Sequence, residues 1–263
     1  MNRPLAGRRA LITGSTQGLG LAAARRLAAD GCDVVLHGLD NGGDIEATRA
    51  GLEREFGVRV RHSGADLREP EQIEMLIADT TGALDAIDIL VNNAVARHTA
   101  LVEEFRPADW DEAMAVNLSA AFHTTRLVVP MMKKAGWGRI VNVSSIYGLR
   151  GAVNRVGYVT TKTALIGLTR AVALETAKSG ITCNAVCPGT SESPVHEAAL
   201  AQMTASESLS RAVAEARLLA GKQPTGRLIG ADGVAALIAF LCTDAAADIT
   251  GAVLPIDAGW SAG

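Results

Sequence analysis

A glycine-rich segment near the amino terminus constrains the fold more than any other part of the chain. Residues 9–13 have the pattern of a short apolar strand, residues 14–20 are Gly-Ser-Thr-Gln-Gly-Leu-Gly, and residues 21–29 are strong helix formers. Glycines let the backbone turn sharply and let a pyrophosphate come close, and a helix N-terminus offers free N–H groups to phosphates. A strand, a glycine-rich turn and a helix in this order predict a dinucleotide-binding loop.

Segments with strand and helix patterns alternate along the rest of the chain. Further strands are predicted at residues 34–37, 58–62, 87–91, 138–143, 181–187 and 252–256, and helices at 45–56, 71–80, 112–129, 158–177 and 234–242. Strands separated by helices indicate right-handed βαβ units, and therefore an α/β Rossmann fold with a doubly wound parallel sheet covered by helices on both faces. Repeats, low-complexity tracts and linkers are absent from the sequence, so we expect a single domain over residues 1–263.

The carboxyl ends of the predicted strands carry residues suited to ligand binding. Gly14, Asp66, Asn92, Ser145 and Gly189 all fall at such ends. Ligands in open α/β sheets bind beyond this edge. The placement therefore predicts one site assembled there.

Tyr158 and Lys162 lie four residues apart, which places both side chains on one face of a helix. A free phenol titrates near pH ~10, and a positive neighbour lowers that pKa by stabilising the phenolate. A serine pair, Ser144 and Ser145, lies upstream. The group predicts proton transfer to and from an oxygen, although such a pair alone also occurs by chance on amphipathic helices.

Composition and charge exclude several function classes. A net charge of -3 gives no reason to expect binding to nucleic acid or an anionic membrane. The apolar run at residues 234–241 is too short to span a bilayer, and a strand begins too early for a signal peptide, so we expect a cytoplasmic protein. The four cysteines lack metal-ligand spacing, which predicts buried reduced thiols and no metal site.

The chain resembles the short-chain dehydrogenase/reductase family over nearly its whole length. The motifs that carry the resemblance are residues 13–20, Asp66, Asn92-Asn93-Ala94, Asn117, Ser145, Tyr158 with Lys162, and Pro188-Gly189. Within the family it is most similar to the D-3-hydroxybutyrate dehydrogenases, at residues 122–126, 173–177, 182–189 and 221–224. The resemblance implies an oxidoreductase that uses a nicotinamide cofactor and forms a homotetramer.

The resemblance also implies four catalytic roles. Tyr158 would be the base in alcohol oxidation and the acid in ketone reduction. Ser145, which lies at the family's distance before the tyrosine, would hold and polarise the reacting oxygen. Lys162 would lower the pKa of Tyr158 and bond the nicotinamide ribose, and Asn117 would help hold a water that relays the proton.

The cofactor is expected to be NAD, with NADP as the alternative. The expected cofactor-binding residues are Gly14, Thr16, Gln17, Gly18, Leu19, Gly20, Asp40, Asp66, Leu67, Asn93, Tyr158, Lys162, Pro188 and Gly189. A 2′-phosphate needs arginine or lysine nearby, whereas residues 37–42 offer only His37 as a basic residue and Asp40 for a free 2′-hydroxyl. Val95 departs from the glycine usual in the family and adds a Cβ near the cofactor ribose.

The substrate is expected to be a small anionic hydroxy compound, of which 3-hydroxybutyrate is one candidate. The expected substrate-binding residues are Arg97, Ser145, Tyr147, Arg155, Tyr158 and Thr190. Arginine forks suit carboxylate, sulfonate or phosphate oxygens. Two alternatives stay open, an NADPH-dependent reductase of a 3-oxoacyl thioester or sugar and a nucleotide-sensing protein without turnover.

Residues 190–224 are longer than a simple connection and resemble the family's mobile substrate lid. Helical periodicity is present at residues 197–203 and 209–219. His98 and His196 are candidates for the pocket, but each alone is expected at the surface, and the segment Ala258-Gly259-Trp260 is a candidate for a subunit interface.

Overall fold

The elements alternate as predicted in the computed structural model, which describes residues 3–39 and 45–262. The strands are β1 Arg9–Ile12, β2 Asp33–His37, β3 Val60–Ser63, β4 Ile89–Asn92, β5 Gly138–Val143, β6 Ile181–Pro188 and β7 Val253–Ile256. The helices are α1 Gly18–Ala29, α2 Ile45–Phe56, α3 Pro70–Leu84, α4 Pro107–Met114, α5 Ala120–Ala135, α6 Val156–Thr176, α7 Pro194–Glu207, α8 Arg211–Leu218 and α9 Ala231–Cys242.

Within those residues, seven parallel strands form one sheet in the order β3-β2-β1-β4-β5-β6-β7. The chain builds outward from β1 to β3 and then returns to place β4 on the other side of β1. This reversal creates a crevice at the carboxyl ends of β1 and β4, where open α/β sheets bind their ligands.

Helices cover both faces of the sheet, which confirms the predicted doubly wound Rossmann fold. Ile12 of β1 packs in one core cluster with Leu27 of α1 and Ile238 of α9. The adjacent Leu11 points to the opposite face and packs with Ile73 of α3. Because successive strand residues are buried on opposite faces, the strands are apolar runs rather than alternating patterns.

The helix predicted at residues 112–129 is part of a longer helical run, over residues 107–135, that contains a π segment. The chain forms α4, which begins at Pro107, then a π-helical segment over Ala115–Ser119, and then α5. Proline suits the first helical position because no intrahelical partner is needed there for its missing N–H. Segments of π-helix often occur at functional sites.

The four cysteines Cys32, Cys183, Cys187 and Cys242 are free and buried. Burial raises the pKa of Cys183 and of Cys242 to about 12, so these thiols stay protonated and inert. No helix in residues 3–39 or 45–262 is long and apolar enough to cross a membrane. The same residues contain no group of three His, Cys, Asp or Glu side chains arranged to hold a metal ion.

Candidate active site

A cleft of about 390 Å³ lies at the carboxyl edge of the sheet. Its walls are the loops after β1, β4, β5 and β6 and the first turns of α6 and α7. The predicted site residues that line it are Gly14, Thr16, Gln17, Gly18, Leu19, Gly20, Asn93, Arg97, Ser145, Tyr147, Arg155, Tyr158, Lys162, Pro188, Gly189 and Thr190. Val95, which stands where the family usually has glycine, lines it as well.

The glycine-rich loop after β1 has the form that a dinucleotide pyrophosphate requires. Gly14 has a φ of 63°, and a Cβ there would lie 2.8 Å from the Ala94 Cα. A Cβ on Gly20 would overlap the Gly14 carbonyl oxygen. Gln17, the N-cap residue of α1, makes no side-chain cap, so the first N–H groups of the helix stay available to phosphate oxygens. These residues fit the predicted nicotinamide dinucleotide.

Asn93 holds this loop in place from the end of β4. Its Nδ2 donates to the carbonyl oxygens of Thr13 at 3.0 Å and Gly14 at 2.8 Å. In return, the Thr13 hydroxyl oxygen accepts from the backbone N–H of Asn93 at 2.9 Å. Asn93 therefore fixes the loop as well as lining the cleft, and its predicted place beside a ribose stays a prediction.

His37 is a buried link in the same loop, not an exposed cation. Its Nδ1 accepts from the Gly14 N–H at 3.1 Å, and its Nε2 lies 2.9 Å from the Ala65 carbonyl oxygen, to which it donates. Burial lowers the pKa of His37, which keeps the ring neutral. His37 is thus occupied by backbone groups and is not positioned to hold a 2′-phosphate.

Two of the three residues expected at the adenosine part of the cofactor, Asp66 and Leu67, do not line the cleft. Asp40 lies outside the described residues. Asp66 pairs with Arg68 at 2.5 Å, and this hydrogen-bonded ion pair lowers the pKa of Asp66. Leu67 is buried beside a second, much smaller cavity next to Asn117. Their roles in binding adenosine stay predictions.

Tyr158 and Lys162 project from the first turns of α6 toward the cleft. The Nζ atom of Lys162 lies 5.8 Å from the centre of the Tyr158 ring and donates to the Val143 carbonyl oxygen at 2.7 Å. Lys162 is only 2% exposed and has no carboxylate partner among the described residues. Burial, and secondarily the charge of Arg97, lower the pKa of Lys162 to about 7. The lysine is therefore held close to Tyr158 at a cost in solvation.

The two serines after β5 have different partners. The Ser144 hydroxyl donates to the carbonyl oxygen of Lys162 at 2.7 Å, which anchors α6. The Ser145 oxygen accepts from the backbone N–H of Tyr147 at 3.1 Å. The hydroxyl hydrogen of Ser145 thus remains available for an oxygen in the cleft. This arrangement favours Ser145 over Ser144 for the predicted role.

Asn117 lies in the π segment, where its side chain is saturated by protein groups. Its Oδ1 accepts from the Ala96 N–H at 2.7 Å, and its Nδ2 donates to the Ala96 carbonyl at 3.0 Å and to the Thr161 hydroxyl at 3.3 Å. The amide therefore joins the loop after β4 to α6 instead of facing the main cleft. The water that Asn117 is predicted to hold stays a prediction.

Arg97 and Tyr147 lie beside the ring of Tyr158, in a wall that also includes Arg155 and Trp260. The guanidinium carbon of Arg97 lies 6.0 Å from the centre of the Tyr158 ring. The ring of Tyr147 stands edge-on to that of Tyr158 at 6.4 Å and to that of Trp260 at 5.4 Å. Burial raises the pKa of Tyr147, so its hydroxyl remains a neutral hydrogen-bonding group. Arg155 precedes α6 and forms part of the same wall.

The expectation that His196 lies at the surface is wrong. Its ring lines the cleft, with Nδ1 2.7 Å from the Ser191 carbonyl oxygen. Burial lowers the pKa of His196. Only its closeness to Thr190 in the sequence could have indicated this position. His98, in contrast, bonds Glu112 at 2.8 Å and lies outside the cleft lining.

Lys222 and Trp260 also line the cleft, and sequence reasoning did not assign either to the substrate site. Lys222 donates to the Leu218 carbonyl at 3.0 Å. The Trp260 carbonyl accepts from Arg150 at 2.6 Å, and only 9% of Trp260 is exposed. Trp260 therefore forms part of the cleft wall in this chain.

The predicted lid region contains α7 and α8, both close to their expected ranges. Its base is fixed by Gln223, whose Oε1 accepts from the Thr190 N–H at 2.5 Å and whose Nε2 donates to the Arg227 carbonyl at 2.6 Å. Ser191 pairs with Ile229 in a parallel bridge. The mobility of the lid stays a prediction.

Known proteins share this architecture and sequence pattern. Residues 8–204 match the family described as short chain dehydrogenase. The chain is 40% identical over 259 residues to D-beta-hydroxybutyrate dehydrogenase of Cupriavidus necator, and the aligned region covers 98% of this chain and 99% of that protein. The protein of the same name from Rhizobium meliloti is 38% identical over 253 residues, 96% of this chain and 98% of that one. L-sorbose reductase from Gluconobacter frateurii, solved with NADPH and L-sorbose, is similar with a TM-score of 0.93 and 27% identity, covering 99% of this chain and 98% of that chain.

Proposed function

This chain belongs to the short-chain dehydrogenase family and is an oxidoreductase acting on CH–OH groups, and we propose that it uses NAD to interconvert a secondary alcohol and a ketone on a small anionic hydroxy compound. The family predicted from the sequence motifs is thus confirmed. The proposed substrate resembles 3-hydroxybutyrate, the compound named in the two similar dehydrogenases.

The charge of the cleft carries the proposal of an anionic substrate. Of the described side chains that line it, Arg97, Arg155, Lys162 and Lys222 are basic, and none is aspartate or glutamate. A cleft lined by one sign of charge concentrates ligands of the opposite sign. Arginine adds a planar fork that bonds a carboxylate through two parallel hydrogen bonds.

Proton transfer is proposed to occur at the Tyr158 hydroxyl. A nicotinamide dinucleotide held by the glycine-rich loop at residues 14–20 and by Lys162 would supply the hydride chemistry. Tyr158 takes the proton from the substrate hydroxyl in oxidation and returns it in reduction. Ser145 donates to the same substrate oxygen and fixes its position, which the free hydrogen of its hydroxyl allows. Lys162, held by Val143, provides the neighbouring positive charge in its protonated form.

NAD is favoured over NADP by the surroundings of β2. His37, the basic residue at the strand end, is buried and bonded to Gly14 and Ala65. The loop at residues 14–20 contains no arginine or lysine that could meet a 2′-phosphate. Dissociation constants for NAD and NADP, measured by titration of the intact protein, test this choice. Tighter binding of NADP would contradict it.

Substrate charge is tested by following NADH formation with D-3-hydroxybutyrate and with the uncharged alcohol 2-butanol. We expect turnover of the acid and little or none of the alcohol. Arg155→Ala should raise KM for the acid at least tenfold, because an ion-paired hydrogen bond contributes about 1.5–3 kcal/mol. Arg54→Ala, a change to an exposed arginine on α2 outside the cleft, is the matched control. Equal turnover of both alcohols, or unchanged KM in Arg155→Ala, would contradict the proposal.

A second candidate is an NADPH-dependent reductase of a sugar. It is favoured by the similarity to L-sorbose reductase, which was solved with NADPH and L-sorbose. Oxidation of NADPH in the presence of a ketose, at a kcat/KM above that for any hydroxy acid with NAD, would support this candidate over the first.

A further inference from the structure

Besides the buried Lys162, three cations in the cleft lack the carboxylate partners that most other arginines of the described residues have. Arg97, Arg155 and Lys222 make no ion pair with any carboxylate in the described ranges. In contrast, Arg9 binds Asp88 at 2.6 Å. Cleft cations without internal counter-ions are free to bind an anion from solution.

The three cations face one region of the cleft, close to the proposed proton donor and acceptor. Ala100 pairs with Arg155 in a parallel bridge, which brings the segment that carries Arg97 alongside the start of α6. Arg97 approaches the ring of Tyr158. Arg97, Arg155 and Lys222 all line the same cleft as Tyr158 and His196.

One carboxylate does not balance this group of charges. A single carboxylate engages one arginine fork and supplies one negative charge, which leaves two of the three cations unmatched. The cofactor pyrophosphate is expected at the first N–H groups of α1, next to a loop with no basic residue. The surplus charge near Tyr158 therefore matches a second anionic group on the substrate.

We propose that the substrate is a dianion, a hydroxy acid that carries a second carboxylate or sulfonate. This inference rests on the proposed function and deepens it. Arg155 binds the first acid group, at the position implied by the family resemblance. Arg97 and Lys222 bind the second group, whose oxygens accept from an arginine fork and an ammonium.

Three substrates that differ only in the group attached to C4 of 3-hydroxybutyrate test the proposal directly. 3-Hydroxybutyrate has no second acid group, 3-hydroxyglutarate has a second carboxylate, and 3-hydroxy-4-sulfobutyrate has a sulfonate. At low ionic strength we expect kcat/KM for at least one dianion to exceed that for 3-hydroxybutyrate at least tenfold. The advantage should shrink as salt is added, because salt screens exposed charges. The better dianion identifies the second group.

Single substitutions test which residues produce the preference for a dianion over 3-hydroxybutyrate. Arg97→Gln and Lys222→Gln should each lower the ratio of kcat/KM between the better dianion and 3-hydroxybutyrate at least fivefold, mainly through KM. Arg54→Gln, on the surface of α2, should leave the ratio unchanged. Thermal unfolding of each variant checks that the fold is retained, and the dissociation constant for NAD checks the cofactor site.

The outcomes separate this inference from the proposed function. A kcat/KM for 3-hydroxybutyrate equal to or above that of both dianions overturns the inference and leaves the proposed function standing. Equal oxidation of 2-butanol and the acids overturns both. If Lys222→Gln weakens NAD binding and reduces turnover of all substrates equally, Lys222 serves the cofactor and its assignment to the second anion is wrong.

Discussion

Replacement of Lys162 by methionine should abolish turnover and yet stabilise the protein without its cofactor. Methionine has nearly the length of lysine and no charge, so it fits a site that is 2% exposed. The lysine is buried with the Val143 carbonyl as its hydrogen-bond partner and with no carboxylate partner among the described side chains. An ammonium buried in this way is unfavourable for folding.

The pKa of Lys162 sets the size of the stabilisation expected in Lys162→Met. Burial lowers it from the model-compound value of 10.5 to about 7. Each pH unit of this change corresponds to about 1.4 kcal/mol, so the lysine destabilises the fold by roughly 4 kcal/mol at pH 7. Loss of its hydrogen bond in the variant offsets about 1 kcal/mol. We therefore expect Lys162→Met to be more stable by about 3 kcal/mol at pH 7.

The stability difference between Lys162→Met and the wild type should decrease as the pH rises. The folded-state pKa is lower than the unfolded-state pKa, so the unfolded chain binds more protons between pH 7 and 10.5 and the stability of the wild type rises with pH. The gain from Lys162→Met should thus shrink as the pH approaches 10.5. Equilibrium unfolding in guanidinium chloride at several pH values, without cofactor, measures both quantities. A variant less stable than the wild type at pH 7, or an advantage that grows with pH, would refute the reasoning.

Three further substitutions test residues that hold the loops of the site in place. His37→Leu leaves the Gly14 N–H without its partner and should lower the free energy of unfolding by about 1–3 kcal/mol and weaken NAD binding, whereas His37→Asn should restore part of both. Burial lowers the pKa of His37, so wild-type stability should be lost as the pH falls below about 6.5, and chemical unfolding of either variant should show a smaller loss. Gly20→Ala should weaken NAD binding at least tenfold in calorimetry because its Cβ overlaps the Gly14 carbonyl oxygen, whereas Gly51→Ala, where a Cβ meets nothing within 4 Å, should not. Asn117→Ala should lower the melting temperature, since its amide bonds both backbone groups of Ala96, and an unchanged melting temperature would contradict that role.

The sequence predicts the features that depend on local spacing. The helix expected at residues 45–56 and the strand expected at residues 138–143 have the observed bounds of α2 and β5. Glycines near positions 14 and 20 predicted the cleft because only the lack of a side chain permits that turn. Tyr158 and Lys162 reach the same cleft because four residues make about one helical turn.

Features that depend on distant contacts could not be predicted in this way. His37 and Gly14 are 23 residues apart and meet only because β1 and β2 pair. Trp260 reaches the cleft across a chain separation of more than a hundred residues from Tyr147. The periodicity of a sequence does not show which charged side chains lack an ion-pair partner in the fold. Lys222 was therefore not predicted as a cleft residue.

The most direct test of the central claim is a single-turnover measurement on Tyr158→Phe. The variant keeps the ring and loses only the hydroxyl, so NAD should bind with a dissociation constant within about twofold of the wild type. General acid–base groups contribute about 10²–10⁴ in rate. We therefore predict that the rate of NADH formation from a hydroxy acid that the wild type oxidises falls at least a hundredfold in this variant. A rate within tenfold of the wild type would show that another group accepts the proton, and the assignment of Tyr158 would be wrong.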